Sequence, residues 1–405
     1  MSGFYPEDAL AEIRCGFHMP EGMIYLDGNS LGPLHATVAQ RLQRTIGDQW
    51  GESLIMGWNQ HNWIQLPLTV GQQLAPILGA GANEVICCDS LSINLFKCLA
   101  AGLQINAQRH RIVTEAEHFP GDNYIAAGLA NLLGSQRCRV DAVPFNDLET
   151  LDFSDVAVLS LAHVDFKHGS LRDLPEITRR AQAQGALVLW DLAHSAGVVD
   201  IALSANAVDM AVGCTYKFLN GGPGSPGFMY LAERHQHATN VLSGWMGHAN
   251  RFAFEPDYQS APGMERFTTG TQSVIALSAV SAALEVFANI TPAMLRAHSS
   301  ALTSYFIECL ERTPETSGLT CLTPKEPEKR GSQISLQIDD GFPISQALIE
   351  RGVIVDFREP NILRFGISPL YNDESQLDRA VAVLADILST RVYQHPRFQQ
   401  RRIVT

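Results

Sequence analysis

Short runs of β-branched and apolar residues fill the first half of the chain, each closing in a polar or glycine-containing turn and followed by a stretch of helical period. Apolar runs of this length read as strands, and their alternation with helical stretches is the pattern of a largely parallel sheet. The runs predict strands at Glu84 to Cys88, Arg111 to Thr114, Arg139 to Val143, Val156 to Leu161, Ala186 to Trp190 and Met210 to Cys214. Helices are expected at about Ser90 to Ala107, Asn123 to Leu133 and Leu174 to Gln184. The stretch Asn220-Gly-Gly-Pro-Gly-Ser-Pro-Gly227 can continue neither element, so the apolar run Phe228 to Leu231 after it predicts a reversed strand.

Past about Ser273 the pattern changes to long helices, Ser273 to Phe287 and Pro292 to Leu310, the second opened by Thr291 as N-cap and Pro292 in the first turn. Strands follow at Ser332 to Ile338, Val353 to Phe357 and Ile362 to Gly366, with helices near Pro343 to Arg351 and Ser375 to Leu388. A chain of 405 residues exceeds what one small core organises. The expected division is an N-terminal segment, 1–50, packing with a small domain at 273–405, and a large domain at 51–272 between them. No internal repeat and no low-complexity segment interrupts this plan.

Composition narrows the class. With 46% hydrophobic and 18% charged residues the chain reads as an ordinary soluble globular protein. A formal charge of −13 offers neither counterion release nor basic steering, so nucleic acid and anionic membrane are not expected partners. The eight cysteines form no CxxC pair and carry no zinc spacing, which points to reduced, mostly buried thiols and no metal. The first thirty residues mix Glu7, Asp8, Glu12 and Arg14 with apolar residues, unlike a signal peptide, and no stretch is apolar enough to span a bilayer. A cytoplasmic location is expected by elimination.

Chemistry enters with Ala186-Leu-Val-Leu-Trp-Asp191-Leu-Ala-His194, a buried-type strand delivering a carboxylate and then an imidazole at its carboxyl end, the end that faces the ligand crevice in open α/β sheets. An isolated acid there would serve equally to cap the turn. A second strand, however, ends in Cys214-Thr-Tyr216-Lys217, placing a lysine at the same sheet edge. Lysines ordinarily end in water. This one lies between a buried strand and a Gly-rich turn, a setting suited to a desolvated, imine-forming amine. Together, Asp191 and Lys217 are what a pyridoxal phosphate (PLP) site needs: the lysine forms the imine and the carboxylate keeps the pyridine nitrogen protonated. The phosphate requires donors, and Asp89-Ser90-Leu91-Ser92-Ile93-Asn94 stands where a strand gives way to a helix N-terminus. Ser90 or Ser92 would otherwise be a plain N-cap.

Five motifs then run in order over nearly the whole chain: Tyr25-Leu-Asp-Gly-Asn-Ser30-Leu-Gly-Pro, His118-Phe-Pro-Gly-Asp122, Asp191-Leu-Ala-His194-Ser-Ala-Gly, Thr215-Tyr-Lys217-Phe-Leu-Asn-Gly-Gly-Pro-Gly and Gly244-Trp245-Met-Gly-His. On them the chain resembles bacterial-type kynureninases, PLP enzymes of the aminotransferase class V group. Asp-x-x-His and Tyr-Lys alone would indicate only that broader group, cysteine desulfurases included. The Asn-Ser-Leu-Gly and Trp-x-Gly-His elements narrow it.

The resemblance implies the α/β architecture of PLP fold-type I: a mostly parallel seven-stranded sheet in a large domain, with a smaller α+β C-terminal domain. It implies Lys217 as the imine lysine, Asp191 on the pyridine nitrogen and His194 beside the ring. Leu91 and Ser92 match the phosphate loop, Tyr216 a phosphate partner, Phe119 the stacking aromatic and Asp122 a residue close to the cofactor. Trp245 and Thr271 match residues reaching the neighbouring subunit's phosphate, which implies a homodimer with shared sites. Arg364, in Leu363-Arg364-Phe-Gly-Ile-Ser, is expected to bind the substrate's α-carboxylate through paired hydrogen bonds. Ser30 and His61 match residues lining the kynurenine side. The implied reaction is hydrolysis of L-kynurenine, and of its 3-hydroxylated form, to anthranilate (3-hydroxyanthranilate) and L-alanine in tryptophan degradation, with Lys217, Tyr216 and Asp191 as the catalytic set.

Two departures stand out: Ala162 where relatives carry a small hydroxyl residue, and Met246 after Trp245 where animal enzymes have an aromatic. The rival within PLP enzymes is a cysteine desulfurase or selenocysteine lyase, whose nucleophilic cysteine would have to be Cys309, inside an expected helix, or Cys321, with no Gly- or His-rich loop around it. A non-catalytic PLP-binding module is the reading from a different class, and no helix-turn-helix or basic face is appended to support it.

Overall fold

The computed structural model describes residues 7–400. The expected segment 1–50 and the expected domain 273–405 each reach beyond the described residues, as does part of the reading of the first thirty.

Seven strands form the main sheet: β1 (Val85–Cys87), β2 (Arg111–Glu115), β3 (Arg139–Val143), β4 (Val156–Ala162), β5 (Leu187–Asp191), β6 (Met210–Cys214) and β7 (Gly227–Leu231). Their spatial order is β1-β7-β6-β5-β4-β2-β3, and β7 alone runs against its neighbours. β4, β6 and β7 are buried along their whole length, because helices cover both faces and such strands have no polar side to alternate. Gly213 and Gly227 let β6 and β7 lie where a Cβ would strike the Phe228 ring or the Leu91 backbone nitrogen.

One core packs Trp190, Leu161, Phe228 and Leu277 on one side of this sheet; another gathers Leu99, Leu129, Val158, Met229 and Phe267 on the other. The helices Leu91–Ile105, Pro120–Leu133 and Leu174–Ala183 match the expected ones within a few residues.

A smaller antiparallel sheet contains β8 (Thr320–Cys321), β9 (Gln333–Gln337), β10 (Asp356–Arg358) and β11 (Ile362–Gly366), in the order β10-β11-β9-β8. The helices Pro292–Arg312, Gly341–Glu350 and Glu374–Thr390 surround it, with a core of Phe306, Leu336, Leu348, Phe365 and Leu384. Ile24 and Leu26 belong to this same core, and Ile24–Tyr25 pairs in parallel with Val353–Ile354.

That pairing corrects the expected single strand Val353 to Phe357. The run is divided: Val353 and Ile354 serve the N-terminal segment, while Asp356 to Arg358 turn to β11. The stretch read as helix Ser273 to Phe287 is an α-helix over Val274–Leu284, capped by the Ser273 side chain, ending in a 3₁₀ turn. No single helix among the described residues is long and apolar enough to cross a membrane, although Val274–Phe287 and Pro292–Arg312, bent by 80°, pass by length and composition together.

Candidate active site

The carboxyl ends of β4, β5 and β6 open into one cleft, lined by Leu91, Ser92, Glu115, His118, Phe119, Asp122, Ala162, Phe166, Asp191, His194, Tyr216 and Lys217 among others. The sheet builds it as the sequence proposed: Asp191 is the last residue of β5, and Lys217 follows the end of β6 by three positions.

Opposite the lysine stands the N-terminus of helix Leu91–Ile105. Asp89 adopts the left-handed backbone (φ 48°), a conformation aspartate tolerates, and so turns β1 into the helix. Ser90 is the N-cap, its Oγ accepting from Ile93 N at 3.4 Å. The cap therefore falls to Ser90, which leaves Ser92 in the cleft lining.

Lys217 Nζ lies 3.0 Å from His194 Nε2. Burial, then the charge of Lys217, holds the His194 imidazole far below its usual range, so the ring is neutral and accepts from the amine. Ala193 N donates to Asp191 Oδ1 at 2.8 Å. Burial pushes the Asp191 carboxyl up while Lys217 pulls against it, and burial followed by the charge of Asp191 drives Asp122 well above the carboxylate range. His118, 3.6 Å from Asp122, is lowered to about 4 by burial.

Asp122 Oδ2, His194 Nδ1 and both ring nitrogens of His118 are buried with no hydrogen-bond partner in the protein. His118, Asp122 and Asp191 bring ligand-type atoms within 4.8 Å of one another, as a metal site would. The ammonium of Lys217 beside them and the anion-binding helix N-terminus opposite fit a different guest: a flat organic cation carrying a phosphate. The protonated pyridine and phosphate of PLP match these donors and acceptors.

A second group of charges adjoins the cleft. Arg364, 1% exposed, donates through Nε to Asp356 Oδ1 at 2.6 Å, through Nη2 to Asp356 Oδ2, and through Nη1 to the Phe166 carbonyl at 2.6 Å. Ser30 Oγ donates to Asp356 Oδ2 at 2.8 Å and lies 3.5 Å from Arg364 Nη2. Arg358 approaches the same carboxylate oxygen to 2.8 Å. Burial, then Asp356, pushes nearby Asp27 up to about 7.

The motif around Ser30 has a steric reason. Gly32 N donates to the Tyr216 carbonyl at 2.7 Å, and a Cβ on Gly32 would collide with the Lys217 carbonyl oxygen. Buried Asn29 reaches the other way, donating to Gln333 Oε1 at 2.9 Å. This segment thus joins the lysine turn to the small sheet.

Lys217, Tyr216, Asp191, His194, Leu91, Ser92, Phe119 and Asp122 share the one cleft, and Ser30 with Arg364 adjoins it through Phe166. His61, Trp245 and Thr271 do not line it. His61 bonds Ser53 Oγ at 2.9 Å near the exposed Leu54, Ile55 and Met56. Trp245 is 42% exposed and stacks on exposed Phe254, and Thr271 is exposed. Phe166, Asp356 and Arg358 were missed by sequence reasoning, and His118 entered only as the first residue of a motif, with no place in the site. Asp356 faces Arg364 across a hairpin turning at Pro360, a pairing set by register. Cys309 is buried in its helix against Asp378 and Arg312, and neither it nor Cys321 lines the cleft.

A family model described as "Kynureninase C-terminal domain" matches residues 295–384. A kynureninase of Burkholderia mallei (strain SAVP1) is 45% identical, the match covering 98% of this chain and 97% of that one. One from Pseudomonas fluorescens is 44% identical over the same shares. Among solved structures, apo cysteine desulfurase from Thermococcus onnurineus NA1 superposes with a TM-score of 0.79 at 18% identity, covering 96% of this chain and 100% of that one. A C-DES mutant with glycine covalently linked to the PLP cofactor gives 0.78 at 20%, covering 92% and 99%. The latter two share the fold, fold-type I of the PLP enzymes. Near-full-length identity of 45% decides the family: the chain belongs to the kynureninases.

Proposed function

We infer that this enzyme uses PLP to hydrolyse L-kynurenine with one water to anthranilate and L-alanine. The observation that carries the reading is the 45% identity to kynureninases across 98% of the chain, joined to a cleft in which Lys217 and two buried carboxylates face a helix N-terminus. When bound, PLP supplies the electron sink for the substrate's α-carbon. Lys217 would hold it, Asp191 would keep its pyridine nitrogen protonated, Leu91, Ser92 and Tyr216 would take the phosphate, and Phe119 would cover its ring. His194 and Asp122 would flank it.

Arg364 binds the substrate's α-carboxylate, with Ser30 at its side. The Lys217 amine, held by neutral His194, takes the α-proton. Tyr216 moves a proton at the γ-carbonyl oxygen, where water adds before the Cβ–Cγ bond breaks. Neighbouring Cys214, then burial, pushes the Tyr216 phenol above its usual range, so it enters this step as the neutral acid. The 3-hydroxylated kynurenine is the second substrate of the proposal. Adding L-kynurenine is expected to release fluorescent anthranilate, and adding L-cysteine no sulfide; the reverse result would assign a desulfurase.

The proposal includes a cytoplasmic homodimer. Trp245, Phe252 and Phe254 present an exposed aromatic group away from their own cleft, as residues serving a partner's site would. Sedimentation is expected to give a dimer, and a fully active monomer would refute roles for Trp245 and Thr271 across the interface. The division into 1–50, 51–272 and 273–405 belongs to the same reading, supported by the separate core that residues 24 and 26 share with the C-terminal elements.

A further inference from the structure

We propose that Asp356 is a positioning residue: it fixes the guanidinium of Arg364 so that one edge is presented to the substrate's α-carboxylate. This rests on the reading that Arg364 binds that carboxylate, and goes beyond it in saying what makes the arginine competent.

Asp356 and Arg364 are directly opposite on antiparallel β10 and β11, and each is 1% exposed. Opposite residues on such a pair hold their side chains within reach on one face of the sheet. The pair is side-on: Asp356 Oδ1 takes Nε at 2.6 Å and Oδ2 takes Nη2. Planar fork-to-fork pairing of this kind fixes orientation as well as distance. Nη1 is anchored separately by the Phe166 carbonyl, and Phe166 itself lines the cleft. The Nε edge is thereby consumed; at the Nη1–Nη2 end each nitrogen keeps one further N–H, Nη1 beside its bond to the Phe166 carbonyl and Nη2 beside the 3.5 Å approach of Ser30.

Asp356 does not itself meet the substrate. Its oxygens already take Arg364 twice, the Ser30 hydroxyl and Arg358. Burial opposes its charge, but the hydrogen bonds from Arg364 outweigh it and hold the carboxyl below its usual range. Around it stand two cations, Arg364 and Arg358, against two acids, Asp356 itself and Asp27, and burial, then Asp356, raises Asp27 to about 7, so the group sets no net negative charge against an incoming carboxylate.

The test compares kcat/KM for L-kynurenine with that for its α-carboxamide, in the PLP-loaded wild type and in Asp356→Asn. Asp356→Asn is expected to lower kcat/KM for L-kynurenine about 30-fold, chiefly through KM, and to leave the carboxamide rate nearly unchanged, so the preference for the carboxylate collapses. Equal losses with both substrates, or an unchanged preference, overturns the positioning role. If Asp356→Asn does not fold, Asp356→Glu decides: its extra methylene displaces the Arg364 edge, so the preference must drop roughly fivefold, and an unaltered ratio rejects the proposal. A wild type with no preference for the carboxylate would instead sink the Arg364 reading itself.

Discussion

Lys217→Ala is expected to reduce anthranilate production by a factor on the order of 10³ or more, at least ~4 kcal/mol of transition-state stabilisation. On the proposed mechanism two functions go at once: covalent hold on the cofactor and the amine that moves the α-proton. Reach explains why no neighbour substitutes. His194 is 3.0 Å from the lost amine, but it is buried, neutral and driven far below its ordinary range, a poor base for a carbon acid. Anthranilate fluorescence read beside the cofactor's absorbance separates lost chemistry from lost binding; a variant keeping more than a few per cent of the rate with cofactor bound would remove Lys217 from the mechanism. Tyr216→Phe in the same assay should slow turnover while keeping the cofactor, and full retention of rate would end its role at the γ-carbonyl.

Arg364→Ala should show two effects together. Loss of a charge-assisted, bidentate contact predicts a fall in kcat/KM of about 10²-fold or more. The protein should also become less stable, because removing one partner of a buried ion pair typically costs about 3–5 kcal/mol by stranding the other. Arg358, 2.8 Å from Asp356, keeps one cation beside the stranded carboxylate and brings the loss toward the lower end. Steady-state kinetics and a thermal melt of the same preparation check both, and a variant with wild-type kcat/KM would exclude Arg364 from carboxylate binding.

The main sheet was legible because parallel strands covered on both faces carry uninterrupted apolar runs, and Lys217 and Asp191 were legible because such strands end at a crevice. The early helices were not. Leu66–Leu78 contains Pro67 and Pro76, which read as breakers, and Ala36–Arg44 packs only Val38 and Leu42 inward, too few apolar residues to stand out in so short a stretch. The run Val353 to Phe357 looked like one strand because nothing local shows that its halves serve different partners. Asp356 escaped notice for a related reason: a cross-strand partnership is a property of register, which a linear pattern does not carry. Trp245 and Thr271 lie outside their own chain's cleft, so no reading of a single fold could place them there.

The parallel pairing of Ile24–Tyr25 with Val353–Ile354 has a consequence for the order in which the molecule is made. During synthesis domains fold roughly as they emerge, and contacts distant in sequence form late. The Tyr25 to Gly32 segment leaves the ribosome among the first residues, yet its strand partner appears more than three hundred positions afterwards. Gly32 can brace the Lys217 turn once that turn is made, but the segment's own anchors, Val353–Ile354 and Gly366, are then still untranslated. On the proposed role of Arg364, competence to bind the substrate's carboxylate would arrive only with β11, and a chain truncated before it would carry the main sheet without that contact.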